Sequence, residues 1–254
     1  MIETFTVSPN LPQNRVSLVL MSGRNRYLKN ELEALGIRSI DPGRLSGISG
    51  SECFHADMSI CHIGGNSVFC APNGDIKMKA ALQEEGFEVL TTDNMITAQK
   101  PALNICISGN NVLCDTKTAD NKILTALKNE GMNILHTNQR YTKCSAALVT
   151  ENAVITSDPS IYELCRNNKI DVLRISYGNI ILEGYSYGFI GGCCGLISKD
   201  TLAFSGNIAM HPDYNNIRSF AGNHGVEIIS LSDSILCDVG GIIPLKEYQS
   251  GSNT

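Results

Sequence analysis

Short apolar runs alternate with amphipathic stretches along the whole chain, and they keep one order. A β-prone run, a polar or glycine turn, a second β-prone run, a helix and a further strand recur five times. The helix ends are the clearest landmarks. Glu31-Leu32-Glu33-Ala34-Leu35-Gly36-Ile37 returns as Ala81-Leu82-Gln83-Glu84-Glu85-Gly86-Phe87 and again as Ala126-Leu127-Lys128-Asn129-Glu130-Gly131-Met132. In each a Leu precedes the Gly by one helical turn, and the Gly suits the left-handed position just past a helix. Two looser copies run from Glu163-Leu164 to Lys169-Ile170 and from Ser219-Phe220 to Gly225-Val226.

Strands are predicted after the helices at Ile37–Ile40, Phe87–Leu90, Met132–Leu135, Ile170–Ile175 and Val226–Leu231. Before them lie Val16–Met21, Ser67–Ala71, Asn111–Cys114, Ala153–Thr156 and Thr201–Phe204. Strands entering copies two to five are expected at Phe54–Cys61, Leu103–Ser108, Cys144–Val149 and Phe189–Ile197. Copy one has no partner before it, and the β-prone tail Ile235–Leu245 would supply one. A last strand that completes the first repeat closes a ring and removes exposed sheet edges. The expected fold is therefore α/β: one domain over 1–254, a five-bladed ββαβ propeller with repeats at about 15–52, 53–100, 101–142, 143–187 and 188–234 and a closing strand at 235–245. Four-stranded, helix-free propeller blades do not fit, and neither does a strict alternation of single strands with helices.

Composition narrows the partners. Lys and Arg total 20 against 25 Asp and Glu, a formal charge of −5, which leaves no basic footprint for nucleic acid and does not repel a small cation. No apolar run approaches the ~20 residues of a membrane span. No signal peptide is visible between Met1 and Pro12. Ten cysteines without a C-x-x-C pair then read as reduced thiols in a cytoplasmic protein, most of them core filler. A homodimer is compatible with the sequence. No cofactor and no metal is expected, since the five histidines and ten cysteines show no linear ligand spacing.

Five ββαβ units closed by the C-terminal strand resemble the pentein fold, the fold of guanidino-group-modifying enzymes such as arginine deiminases, dimethylargininases and amidinotransferases, and of a non-catalytic ribosome anti-association factor. The resemblance runs from about Arg15 to Leu245, and the sequence looks like an uncharacterised bacterial branch of it. The best local match is Phe54-His55-Ala56-Asp57-Met58-Ser59-Ile60, similar to the second-repeat segment in which an Asp grips the substrate guanidinium. The resemblance implies a Cys nucleophile that attacks the guanidinium carbon, a His acid–base and paired carboxylates. Cys237, in Leu236-Cys237-Asp238-Val239-Gly240-Gly241, falls near the nucleophile position. The chain departs from the pattern elsewhere. Gln99-Lys100-Pro101-Ala102 stands where the family has Glu-Gly-Gly-Asp, and Thr142-Lys143-Cys144 stands where its His is expected.

Period two along Cys53–Cys61 would put His55 and Asp57 on one strand face, lining a channel or forming a polar ladder satisfied by backbone. Cys237 and Asp238 serve either a catalytic site or a turn. Cys144 faces the same channel or fills core. Glu183, in Glu183-Gly184-Tyr185-Ser186-Tyr187, offers a carboxylate on a loop that covers the channel mouth, or is ordinary surface. The glycine-dense Gly188–Gly195 segment lacks the helix and Lys-Ser/Thr of a phosphate loop and suits close backbone approach instead. Two readings follow. One is a Cys-dependent hydrolase or transferase acting on a guanidino or amidino compound, with Cys237 catalytic and Asp57, His55, Cys144, Glu183 and Asp238 binding substrate. The other is a non-catalytic binding or interaction protein that keeps the pentein scaffold. The expected partner is a small-molecule ligand, which the acidic balance of the chain leaves free to be a cation.

Overall fold

A computed structural model describes residues 2–249 of the chain. The elements begin with β1 (Glu3–Phe5), β2 (Val16–Leu20), α1 (Arg26–Ala34) and β3 (Arg38–Ile40). A helical turn, α2 (Ala56–Ser59), leads into β4 (Ile60–Gly64), β5 (Ser67–Cys70), α3 (Ile76–Glu84) and β6 (Glu88–Thr91). Next come β7 (Cys106–Ser108), β8 (Asn111–Cys114), α4 (Asn121–Asn129) and β9 (Asn133–His136). The turn α5 (Thr142–Ser145) precedes β10 (Ala146–Thr150), β11 (Ala153–Thr156), α6 (Pro159–Asn167) and β12 (Asp171–Arg174). The chain ends with β13 (Cys194–Ser198), β14 (Thr201–Phe204), α7 (Tyr214–Asn223), β15 (Glu227–Ser230) and β16 (Ile243–Tyr248).

These strands form five small sheets. Four have three strands each, in the orders β4-β5-β6, β7-β8-β9, β10-β11-β12 and β13-β14-β15. In every one an antiparallel hairpin is followed by a helix that returns the chain to a parallel third strand. The remaining sheet runs β1-β16-β2-β3, with the C-terminal strand inserted antiparallel between β1 and β2. Ile243 faces Leu20 and Tyr248 faces Glu3 in its register. The tail therefore completes the N-terminal sheet, and β1 covers its outer edge.

The helices form where side chains satisfy their first amide groups. Asn25, Asp75, Asp120 and Asp158 accept from the N–H groups of Tyr27, Lys77, Lys122 and Ser160 at 2.7 to 3.1 Å. Each of the five long helices buries a pair one turn apart: Leu28 and Leu32, Met78 and Leu82, Ile123 and Leu127, Ile161 and Cys165, Ile217 and Ala221. All five sequence landmarks past the helices are left-handed, Gly36, Gly86, Gly131 and Gly225 with φ of 73 to 89° and Lys169 at 59°. Lys169 holds that conformation with a Cβ, at a cost of about 1 kcal/mol.

The entering strands start later than the apolar runs predict. Phe54–Cys61 is a 3₁₀ turn at Ser51–Phe54 followed by α2, and extended pairing begins only at Ile60. His55 and Asp57 thus do not share a strand face. The helical turn wins because Ser59 Oγ donates to the His55 carbonyl at 3.0 Å and Asp57 N–H donates to the Gly240 carbonyl at 3.2 Å. Helical turns likewise move two later starts to Ala146 and Cys194, and a turn closed by Asn104 N–H donating to the Pro101 carbonyl at 2.9 Å moves that of β7 to Cys106. The closing strand is displaced too, to Ile243–Tyr248. In the segment before it, Gly240 and Gly241 adopt positive φ and Asp238 Oδ1 accepts from Gly240 N–H at 3.0 Å, so the chain turns there.

The core lies between sheets and helices and includes fully buried Phe204, Leu18, Leu20 and Met58. Nine of the ten cysteines are buried, and Cys237 is half-buried. Burial pushes the thiols of Cys61, Cys70, Cys114, Cys165 and Cys194 up to about 12, so these side chains are inert apolar filler. Among the described residues no helix is long and apolar enough to cross a membrane.

Candidate functional site

The helical turns that replace the expected strand starts aim polar side chains at one central cluster. Asp57 projects from α2 and is 1% exposed. Its Oδ2 accepts a hydrogen bond from the Cys144 thiol at 2.7 Å, while Oδ1 has no partner. Burial raises its pKa to about 6, against the lowering influence of His55, and Asp238 raises it further. Cys144 projects from α5. Asn104 fixes both turns: its Oδ1 accepts from Cys144 N–H at 3.1 Å, and its Nδ2 donates to Cys144 Sγ at 3.3 Å and to the Asp57 carbonyl at 3.4 Å. Burial and then the Asp57 and Asp238 charges hold the Cys144 thiol well above the ordinary thiol range. Lys143, beside it, is a buried cation whose charge favours ionised Asp57.

Asp238 arrives from the segment before β16. Its Oδ2 accepts from Phe189 N–H at 2.9 Å and its Oδ1 from Gly240 N–H, and His55 Nδ1 lies 3.7 Å from Oδ1. The glycines of Gly188–Gly195 make room for it. A Cβ on Gly188 would meet the Asp238 Cβ at 2.5 Å, and one on Gly192 would overlap its carboxylate. The close approach expected of that segment thus includes the seating of one carboxylate.

Above the cluster opens a cavity of about 300 Å³, whose lining includes Glu52, His55, Cys144, Asp238 and aromatic side chains. Tyr141 stacks on Phe189 at 6.3 Å, and Tyr187 meets Phe189 edge-on at 6.2 Å. Glu52, 4% exposed, accepts a short hydrogen bond from the Tyr185 hydroxyl through Oε1, while its Oε2 has no partner. That bond, more than burial, raises the Tyr185 pKa to about 12. Two carboxylates, Glu52 and Asp238, and a histidine therefore line an aromatic-walled cavity, with the Asp57 carboxylate buried directly behind Cys144.

Of the candidates from the sequence, His55, Asp57, Cys144 and Asp238 come together here. Cys237 and Glu183 line a second cavity of about 290 Å³, together with Arg24 and Arg26; His55 and Asp238 lie on the wall common to both cavities. The Cys237 thiol is raised by burial, then by Asp238 and Glu183. Glu183 pairs with Arg24 at 3.8 Å, and its side chain is 80% exposed. Sequence reasoning missed Glu52, Asn104 and Tyr141. Asn104 carried a signal, a lone amide within Leu103-Asn104-Ile105-Cys106. Glu52 and Tyr141 carried none, because only folding brings them to the same cavity.

No curated protein matches the sequence. Solved structures do match its fold. The inosamine-phosphate amidinotransferase of Streptomyces griseus aligns with 96% of this chain and 97% of its own, at 10% identity and a TM-score of 0.58. DDAH from Pseudomonas aeruginosa, solved with citrulline, aligns over 90% and 96% at 11% identity and a TM-score of 0.53. The agmatine deiminase of C. jejuni aligns over 91% of each chain at 10% identity and a TM-score of 0.52. At such identities the likeness establishes the fold alone, and that fold is the expected pentein α/β fold. The model of the family of unknown function DUF6873 matches residues 20–243, and the chain belongs to that family.

Proposed function

We propose that this protein binds a small planar organic cation of the guanidino or amidino class in the aromatic-walled cavity. One observation carries this reading. Buried Glu52 and Asp238 line it and buried Asp57 lies directly behind its Cys144 wall, and Glu52 and Asp57 each keep a buried oxygen with no hydrogen-bond partner. A buried carboxylate is costly unless a cation and hydrogen-bond donors meet it. Among the described residues, Lys143 and, when protonated, His55 lie beside Asp57, while Arg24 and Arg26 line the neighbouring cavity that shares the Asp238 wall. A guanidinium offers its N–H edge to paired carboxylates and its face to an aromatic ring such as Phe189. Fold neighbours named as amidinotransferase and agmatine deiminase support that ligand class.

Binding of a ligand to the native state alone raises the melting temperature. Agmatine, arginine and methylated arginines at millimolar concentration, with a chelator present, are expected to do so, and uncharged citrulline much less. Glu52→Gln is expected to weaken the agmatine response at least tenfold in concentration. Equal shifts with citrulline, or none with any cation, would defeat the reading.

The Cys144, His55 and Asp238 cluster favours a second, catalytic reading at the same site. In it the Cys144 sulfur attacks the cationic carbon, a C–S bond forms and the C–N π pair moves onto nitrogen. The thiol proton passes to Asp57 and, through His55, to the nitrogen, which departs as an amine when the C–N bond breaks; the oxygen of a water then bonds to the carbon, the C–S bond breaks and a water proton returns to the sulfur. This shifts the nucleophile from Cys237, which lies in the second cavity, to Cys144. Intact-mass analysis after incubation with a haloamidine is expected to show one adduct, lost in Cys144→Ser and kept in Cys237→Ser. Loss in Cys237→Ser instead would return the role to that residue.

A further inference from the structure

The cluster on the cavity floor has a donor set that an organic cation does not require. We propose that His55, Cys144 and Asp238 form a site for one divalent transition-metal ion of the zinc type, open on its fourth side to the aromatic cavity. A ring nitrogen, Sγ and a carboxylate oxygen from these residues all lie within 4.8 Å of one another, with His55 Nδ1 to Asp238 Oδ1 at 3.7 Å. A tetrahedral ion bound at 2.0 to 2.3 Å holds its ligand atoms about 3.3–3.7 Å apart. The three side chains reach that arrangement by shifts of about 1 Å, within ordinary rotamer adjustment.

Two further features distinguish the cluster from a chance meeting of polar groups. Its ligands are held from behind: Asp238 by the Phe189 and Gly240 amides, Cys144 by Asn104 on both its amide and its sulfur. Outer hydrogen bonds of this kind orient metal ligands. Independently, Asp57 is buried against Cys144 Sγ and retains an unpartnered Oδ1. It gives the thiol proton a place to go. As the S–metal bond forms, the Cys144 S–H bond breaks and its proton moves along the existing hydrogen bond to Asp57 Oδ2. The incoming dication replaces that proton on sulfur and reduces the excess of buried negative charge.

The mixture of sulfur, imidazole and a single carboxylate selects zinc, cobalt or copper over magnesium and calcium, which prefer all-oxygen cages. A metal and a guanidinium are alternative occupants of the same floor. The metal engages the Cys144 sulfur, so its seating would also silence thiol chemistry there. This inference stands apart from the organic-cation reading, which needs no thiolate.

Cobalt titration of the metal-free full-length protein tests it. One Co²⁺ per chain is expected, with a near-ultraviolet thiolate-to-cobalt band that Zn²⁺ abolishes. Cys144→Ser should remove the band. His55→Ala and Asp238→Asn should each weaken binding at least tenfold, while Cys237→Ser binds as the parent does. Circular dichroism melting establishes that each variant is folded. X-ray absorption of the zinc-loaded parent gives a result that needs no variant: one sulfur and otherwise nitrogen or oxygen donors. A band that survives in folded Cys144→Ser, or a zinc shell with no sulfur or several, would overturn the proposal. The agmatine thermal shift, measured under chelator, would be untouched by that failure.

Discussion

Asp57→Asn is expected to flatten the dependence of stability on pH between 4 and 7. Relative to the metal-free parent, the variant should gain about 2.5 kcal/mol across that interval, at about 1.4 kcal/mol per pKa unit. The cause is burial, which raises the Asp57 pKa from 3.8 to about 6 in the folded chain. Between those values the native state binds the proton more tightly than the unfolded state does. The parent's stability therefore falls as pH rises through the window, and the full cost is present above about pH 6. An asparagine does not ionise, so its constant effects on packing and hydrogen bonding cancel when one pH is compared with another. Urea unfolding of both proteins at pH 4, 5, 6 and 7 measures the difference. A gap between the two curves that stays constant would show that Asp57 is not a buried carboxylate of this kind. The same variant should weaken agmatine binding at least tenfold at pH 7, since the charge that burdens the fold lies directly behind the Cys144 wall of the cavity and attracts a cation held there. A site that is costly to the empty protein and repaid by its ligand fits a functional role better than a structural one.

Gly195→Ala is expected to destabilise the protein by more than about 3 kcal/mol, at the upper end of overpacking costs. Gly195 lies in β13 against the segment that leads into β16. A Cβ there would overlap the Ile242 carbonyl oxygen and come within 2.9 Å of the Ile242 Cβ. Neither atom belongs to a flexible side-chain end. Ile242 N–H donates to the Cys194 carbonyl at 3.2 Å, and the backbone on both sides is held by sheet pairing. Relief would require moving the junction through which the C-terminal strand enters the N-terminal sheet. Gly222→Ala is the appropriate control. It lies in α7 with open space around the added methyl group, so it should stabilise by about 0.5–1 kcal/mol through helix propensity. Urea midpoints of the two variants should move in opposite directions. A Gly195→Ala midpoint within error of the parent would mean that the strand junction is looser than its geometry indicates.

Both effects arise where local pattern and tertiary structure part company. Helices were legible because their signals are local: an Asn or Asp cap, apolar residues one turn apart, and a left-handed residue at the end. Even Lys169, which lacks glycine's freedom, could be placed by its position in the repeat. The parallel and antiparallel strands flanking the helices were legible for the same reason. The starts of the entering strands were not. Phe54–Cys61 alternates well enough for a strand, yet the Gly240 carbonyl, distant in sequence, accepts the Asp57 amide and stabilises a helical turn there. Alternation in so short a window cannot register an acceptor that lies far along the chain.

The candidate site divides in the same way. Asp57, His55, Cys144 and Asp238 could be singled out as polar or thiol groups beside apolar runs, and they do converge. Which thiol joins them could not be read. Cys237 and Asp238 are adjacent in sequence, but Asp238 turns inward between Gly188 and Gly192 while Cys237 lines the neighbouring cavity. Glu52 and Tyr141 became visible only when the Tyr185 loop and α5 were brought to the same opening.

Sequence by itself determined the repeated strand–helix–strand units, their capping, their thiol-rich apolar interiors and the return of the C-terminal strand to the N-terminal sheet. Each of these depends on neighbours within a few turns or on a simple unpaired edge. Tertiary structure alone decided which polar groups share the buried floor and which thiol faces Asp57. Those choices follow from contacts between segments tens to nearly two hundred residues apart, where glycine backbones leave the space and the cost of burying charge depends on what lies opposite.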